Sequence, residues 1–357
     1  MDHHFDAMLA EYAQLLVEVG VNPAPGQTVF VSCPVDCAPL GRKCVEALYD
    51  RGAREVTVLW VDDFVTRQRY LRAEADSFAQ MPDWLAARYQ WIADNRAAML
   101  HIIGDDPELL AGVDPQRILT WQKTFGAAVR DYRQAQNANL FPWCIGAHPT
   151  PAWARKVFPG LPEQEAMKQL WAAVFAACRV TGDGGAVARW RAHVETTTRR
   201  VEALNAMGLT QLRYQNSLGT DLHIRLPENH LWSGAAEFCQ GNGRPFVANI
   251  PTEEVFTAPH REGVNGRVYA ALPLALNGTL VRDFWLELKD GKIVDLHAEE
   301  GEEYLRAAIA VDEGAAYLGE VALVDCYSPI RQTGILFYNT LFDENASCHL
   351  AFGSAYA

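Results

Sequence analysis

The chain has 357 residues, of which 49% are hydrophobic, 10% aromatic and 21% charged, and its formal net charge at pH 7 is −13. That length suits about two domains, and so large an apolar fraction excludes disorder as a description of the whole. The acidic balance repels phosphate backbones and so excludes nucleic-acid binding as the main activity. No apolar run reaches the roughly 18 residues that would predict a membrane span.

In chain order, Phe5 to Val19 predicts a helix, with Phe5, Met8, Leu9, Tyr12, Leu15, Leu16 and Val19 on one face. Thr28 to Ser32 reads as a buried strand, Pro39 to Tyr49 as a helix opened by proline, and Glu55 to Val61 as a second strand. Asp62-Asp63 can cap the helix that follows. Helices over Pro82 to Arg96 and Pro115 to Gln134 then alternate with strands over Ala98 to Ile103 and Leu140 to Gly146. This rhythm predicts a parallel sheet covered by helices. Two long helices follow, Pro162 to Val180 and Gly184 to Met207.

After Met207 the texture changes. Leu212 to Gln215 and Thr220 to Leu226 flank Asn216-Ser217-Leu218-Gly219 as a hairpin. Val268 to Leu276, Thr279 to Leu288 and Lys292 to His297, joined by Asn277-Gly278 and Asp290-Gly291, read as a meander. The expected architecture is an α/β N-terminal domain with a parallel sheet over residues 1–207. An α+β C-terminal domain, mostly antiparallel, is expected over 208–357.

Met1-Asp2-His3-His4-Phe5-Asp6 lacks the basic and apolar regions of a secretory signal. The eight cysteines are scattered and read as reduced thiols of a cytoplasmic protein. Cys33, Cys37 and Cys44 have the wrong spacing for a zinc knot and read as small buried hydrophobes. Phosphate-binding glycine loops, G-x-S-x-G and H-E-x-x-H are all missing. The absence of a phosphate loop counts against a nucleotide-binding role for the N-terminal half.

A different constellation lies in the second half. Asn249 to Thr257 places Glu253 and Glu254 inside an apolar stretch. Neighbouring side chains of an extended chain point to opposite faces, so one of the two faces the interior. A bare carboxylate there is costly unless it is paired or bound to metal. Glu320 opens another apolar strand, and His349 follows Glu344-Asn345-Ala346-Ser347-Cys348. Two glutamates and a histidine entering one core suit a divalent metal. The residues alone equally admit two glutamates at strand ends and a core histidine bonded to backbone.

The segments NIPTEEVFTAPHREGVNG, DEGAAYLGEVALV and FYNTLFDENASCHLAFGSAY resemble signature segments of the M29 aminopeptidases, the aminopeptidase T and S type. YAQLLVEVGVNPAPGQTVFV in the first half is similar too, so the resemblance covers most of the chain. It implies that Glu254, Glu320 and His349 are metal ligands and that Tyr356 is an active-site residue. It further implies two divalent ions (zinc, cobalt, magnesium or manganese), short peptide substrates and a homodimer. Glu253 becomes a candidate proton shuttle, or else a glutamate facing solvent from the opposite strand face. The implied reaction is release of N-terminal residues by a metal-activated water, with Tyr356 or a metal stabilising the oxyanion.

One departure stands out. The family completes its site with a His-x-Asp pair a few dozen residues after the matched tyrosine, whereas this sequence stops at Ala357. Its only His-x-Asp is His4-Phe5-Asp6, which reads as a helix start. The expectation is a C-terminally truncated chain with an incomplete catalytic domain. The alternatives are an inactive or fragmentary member of the same fold, or a related mononuclear-iron dioxygenase that cleaves rings.

Overall fold

The computed structural model describes residues 3–104, 106–276 and 279–355. Its first half contains helix α1 (His3–Leu15), strand β1 (Thr28–Pro34), α2 (Ala38–Asp50), β2 (Glu55–Val61), α3 (Asp63–Arg72), α4 (Asp83–Asp94) and β3 (Ala98–Ile103). Then come α5 (Pro115–Ala128), α6 (Arg130–Asn137), β4 (Trp143–Ala147), α7 (Pro151–Val157), α8 (Glu163–Ala177) and α9 (Ala186–Met207). The second half is mainly strand: β5 (Gln211–Gln215), β6 (Asp221–Arg225), β7 (Glu237–Phe238), β8 (Pro245–Phe246), β9 (Asn249–Ile250) and β10 (Glu254–Thr257). It continues with β11 (Val264–Tyr269), β12 (Leu274–Leu276), β13 (Thr279–Lys289), β14 (Lys292–Glu300), α10 (Glu302–Ile309) and β15 (Leu318–Val324). The last elements are α11 (Pro329–Thr333), α12 (Thr340–Asp343) and β16 (His349–Phe352).

Contacts divide the chain into two units that interleave along the sequence. The first comprises Met1–Leu109, Thr120–Glu195 and Ala235–Thr252; the second comprises Leu110–Leu119, Thr196–Gly234 and Glu253–Ala357. One passage from first to second falls inside α9, and another falls between Thr252 and Glu253.

The first unit is built on a five-stranded sheet in the order β2-β1-β3-β4-β9, parallel throughout. The near-continuous apolar runs of β1, β3 and β4 suit strands covered on both faces. One face carries Phe30, Met99, Phe141 and Trp143 against Ile92 of α4 and Tyr132 of α6. On α1, the Tyr12 hydroxyl accepts the Ala147 N–H at 3.0 Å. The Asp62 cap forms as the sequence predicts, accepting the Val65 N–H at 3.1 Å.

Three local differences have physical causes. The helix expected over Pro115 to Gln134 breaks into α5 and α6 at Val129, which leaves helical geometry where it and Tyr132 turn into the core. Helix α7 was not expected, although Thr150 caps it through the Trp153 N–H and Pro151 opens it. The fifth strand, β9, is two residues long and supplied from far along the chain, which no periodicity can signal.

The second unit holds two antiparallel sheets. One is β10-β15-β16; the other runs β12-β13-β11-β6-β5, with β14 also paired to β13. Both contribute to one core, with Leu222 and Ile224 from β6, Val255 from β10, Leu286 and Leu288 from β13, and Val321 from β15. The Asp290-Gly291 turn forms as expected, with φ of 50° and 79°. A Cβ on Gly291 would lie 1.7 Å from the Arg261 carbonyl oxygen, so only glycine fits. The single strand expected over Val268 to Leu276 is instead parts of β11 and β12, interrupted ahead of Pro273, whose missing N–H suits a break in the ladder. The Asn277-Gly278 turn lies outside the described residues.

Candidate metal centre

Strand register brings the three predicted ligands together. Glu254 pairs with Val324, while Ala322 faces both Phe256 on one side and His349 on the other. Cross-strand partners in an antiparallel sheet point to the same side, and so do residues two apart on a strand. Glu254, Glu320 and His349 therefore share one face of the β10-β15-β16 sheet. The alternate residues Val255, Val321, Leu323 and Leu350 belong to the core on the other face.

That parity depends on an irregularity. Leu318 pairs with Phe352, yet Glu320 pairs with Ala351, so one extra residue is inserted on β15 at Gly319. A Cβ on Gly319 would lie 2.5 Å from the Ser354 carbonyl oxygen. The inserted residue is thus a position where a side chain has no room.

His349 Nε2 lies 2.9 Å from Glu254 Oε2 and 3.4 Å from Glu320 Oε1. One donor atom from each of the three residues falls within 4.8 Å of the others. Nδ1 of His349 sits 3.2 Å from the Ser347 carbonyl oxygen. A carbonyl only accepts, so in the neutral ring Nδ1 carries the proton and Nε2 presents its lone pair to the carboxylates. Glu254 Oε2 and His349 Nε2 are both buried without a hydrogen bond of acceptable alignment. Three acceptors converging in a buried place require a cation between them, either a proton or a metal.

The electrostatics agree with that need. Burial pulls the His349 imidazole down, but the Glu254 and Glu320 carboxylates outweigh it and raise it to about 11. Glu344 is pushed up to about 8, first by burial and then by the charges of Glu254, Glu320 and Asp343, with His349 opposing. Asp343 rises to about 6 through burial, although the Phe337, Asn339 and Tyr338 backbone N–H groups hold it down in part. A divalent cation relieves such an excess of negative charge, and one imidazole with two carboxylates is a fitting donor set for it.

The other predicted residues stand apart from the cluster. Glu253 is 5% exposed, so the solvent-facing alternative for it is overturned: it is buried beside the site without being one of the three converging donors. Tyr356 lies outside the described residues. Two residues escaped sequence reasoning. The acidity of Glu344 is shifted by the charges of all three donors, and Asn345 is fully buried and accepts the Glu253 N–H at 2.7 Å. Both lie in the same Glu344-Asn345-Ala346-Ser347-Cys348-His349 string, and only its histidine drew attention.

The family model for thermophilic metalloproteases (M29) matches residues 5–357. The chain belongs to the M29 metallopeptidases. Aminopeptidase AmpS of Bacillus subtilis is 44% identical over 353 residues, which is 99% of this chain and 85% of AmpS. Aminopeptidase 2 of Geobacillus stearothermophilus is 43% identical, with 99% and 85% covered. The solved structure of wild-type AmpT from Thermus thermophilus superposes with a TM-score of 0.89 at 41% identity, covering 99% of this chain and 86% of AmpT. The protein is accordingly a hydrolase of the metallo-aminopeptidase class, with the expected parallel-sheet and antiparallel-sheet architecture, and its family implies a divalent metal. A match to M29 across nearly the whole chain favours the peptidase over the dioxygenase alternative. Among the described residues, no helix is long and apolar enough to cross a membrane.

Proposed function

We propose that this chain releases N-terminal residues from short peptides at a dinuclear metal site, with Glu254, Glu320 and His349 as ligands. The observation that supports this most directly is the convergence of the three donor atoms, two of them buried without an aligned hydrogen bond. When bound, divalent cations of this kind supply Lewis acidity and bring the pKa of water towards neutrality.

The chain's own residues do the remaining work. Glu254 and Glu320 offset the charge of the ions, and zinc, cobalt, magnesium and manganese are all compatible with so oxygen-rich a set. His349 ligates through Nε2 while the Ser347 carbonyl holds its tautomer, the outer contact that fixes ring orientation at metal sites. Glu253 is proposed to carry a proton from the attacking water to the leaving amine, and Tyr356 to donate its hydroxyl to the oxyanion. On this reading residues 208–357 form the catalytic domain and residues 1–207 its α/β companion. Eight free cysteines accord with the reducing cytoplasm, and a homodimer enclosing its sites accords with short substrates.

Aminoacyl p-nitroanilides and dipeptides assayed with each of the four cations test the reaction. Hydrolysis should require added metal, fall to background with a chelator, and fall by at least about 100-fold in His349→Ala. Full activity in His349→Ala would remove the ligand assignment. Light scattering tests the dimer.

A further inference from the structure

The segments that deliver the proposed ligands are far apart in sequence. Glu254 opens β10, one residue after Glu253, whose N–H lies just ahead of the β10-β15 ladder. His349 opens β16, after the short turn that holds Glu344 to Ala346. Strand pairing reaches both only through β15, which stands between them. A direct tie exists in one side chain. Asn345 Oδ1 accepts the Glu253 N–H at 2.7 Å across 92 residues of sequence, and Asn345 Nδ2 donates to the Leu341 carbonyl at 3.0 Å. Its own carbonyl accepts the Ser328 hydroxyl at 2.7 Å, and the residue is 0% exposed.

Each end of the amide is used, so rotation of the side chain would leave a buried group unpaired at one or both ends. The amide is also neutral. An aspartate there would offer the same acceptor but add a negative charge beside Glu254, Glu320 and Glu344. Asparagine is thus the side chain that ties the two segments without adding to the charge that a cation must balance.

We propose that Asn345 is a positioning residue of the metal centre: by clasping the Glu253 backbone to the turn before His349, it sets the distance between the Glu254 carboxylate and the His349 imidazole. This deepens the metal reading above and rests on it. Ser328, just ahead of α11, provides the contrast. Its hydroxyl donates to the Asn345 backbone carbonyl, on the turn and not on Glu253 or a ligand residue.

The test is titration of the metal-free full chain with cobalt(II), reading affinity and the visible d–d spectrum, alongside thermal unfolding in chelator. Asn345→Ala should weaken cobalt binding by about 10- to 100-fold, the usual effect of losing an outer-shell contact, and should alter the d–d band. Ser328→Ala, which loosens the same turn, should bind within about twofold of the parent with an unchanged band. Should Asn345→Ala fail to fold, Asn345→Ser carries the same expectation, because its hydroxyl is too short to reach the Glu253 N–H. Parent-like affinity and spectrum in the Asn345 variant would overturn the proposal. So would equal losses in the Asn345 and Ser328 variants that merely track their unfolding temperatures. Glu254→Gln separates the two levels of argument. If it abolishes binding while Asn345→Ala does not, the positioning role alone falls; if it leaves binding intact, the metal reading falls with it.

Discussion

Two glutamates, one in each unit, are buried to nearly the same degree and live in opposite surroundings. Glu11, in the parallel-sheet unit, is 5% exposed and accepts the backbone N–H groups of Gly182 and Ala186 together with the Arg189 guanidinium. Glu254, in the antiparallel unit, is 7% exposed and looks at an imidazole and another carboxylate, with no aligned donor on Oε2. The first charge is neutralised by the fold itself, where it closes the loop that leads into α9. The second faces another carboxylate and one imidazole, so its charge is balanced by a proton on that ring or by an added cation. Burial alone is therefore a poor guide to function; what separates the two is whether the chain completes the hydrogen bonding.

The contrast yields a ranked set of outcomes. The largest effect belongs to Glu254→Gln, which should cost at least about 100-fold in metal affinity. In metal-free protein the loss of the Glu254–His349 pair opposes the relief of repulsion from Glu320 and Glu344, so the unfolding temperature should change little. A marked fall in metal-free stability would show that Glu254 is structural after all. Next comes Glu11→Ala, expected to destabilise by about 3 kcal/mol, the low end for breaking a buried ion pair because Arg189 is partly exposed. Its metal affinity should stay within about twofold of the parent. A metal-binding defect there, measured on folded protein, would erase the distinction between the two carboxylates.

The smallest expected effect is at Glu302, at the start of α10. The Ala298 N–H, then Arg306 and His297, hold its carboxyl down at about 2. A depressed acid stabilises the fold above its unfolded pKa of roughly 4.3 and loses that contribution as pH falls. Glu302→Gln should lower the melting temperature slightly at pH 7, and the gap should close as pH falls from about 4 towards 2. A gap that persists to pH 2 would mean that the shape of the side chain matters and its charge does not.

Much of this was legible in the residues, for reasons that differ from place to place. β2 and β3 fall within the limits that their apolar runs and flanking turns predict, because local pattern and tertiary burial agree there. Glu254, Glu320 and His349 stood out as polar groups at the mouths of apolar strands, a conflict that only pairing or a ligand resolves. Their meeting was not legible from spacing, since it depends on which strands become neighbours. Asn345 was invisible because a lone asparagine in a polar string carries no period, and its partner is a backbone N–H 92 residues away. Glu344 gave no sign for the same reason: its altered acidity comes from charges that the fold, and not the sequence, sets beside it.

The insertion at Gly319 has a consequence for how this sequence can vary. Leu318 and Glu320 are two apart and by simple alternation would look the same way, yet Leu318 belongs to the core while Glu320 shares a face with Glu254 and His349. The glycine works as a half-step in the strand's phase, letting an oily neighbour and an acidic one part company. Losing that single peptide unit would turn the acid towards oil, or the leucine towards the other two polar side chains, with every other residue unchanged. Between Tyr317 and Val321, then, the number of residues carries as much information as their identity.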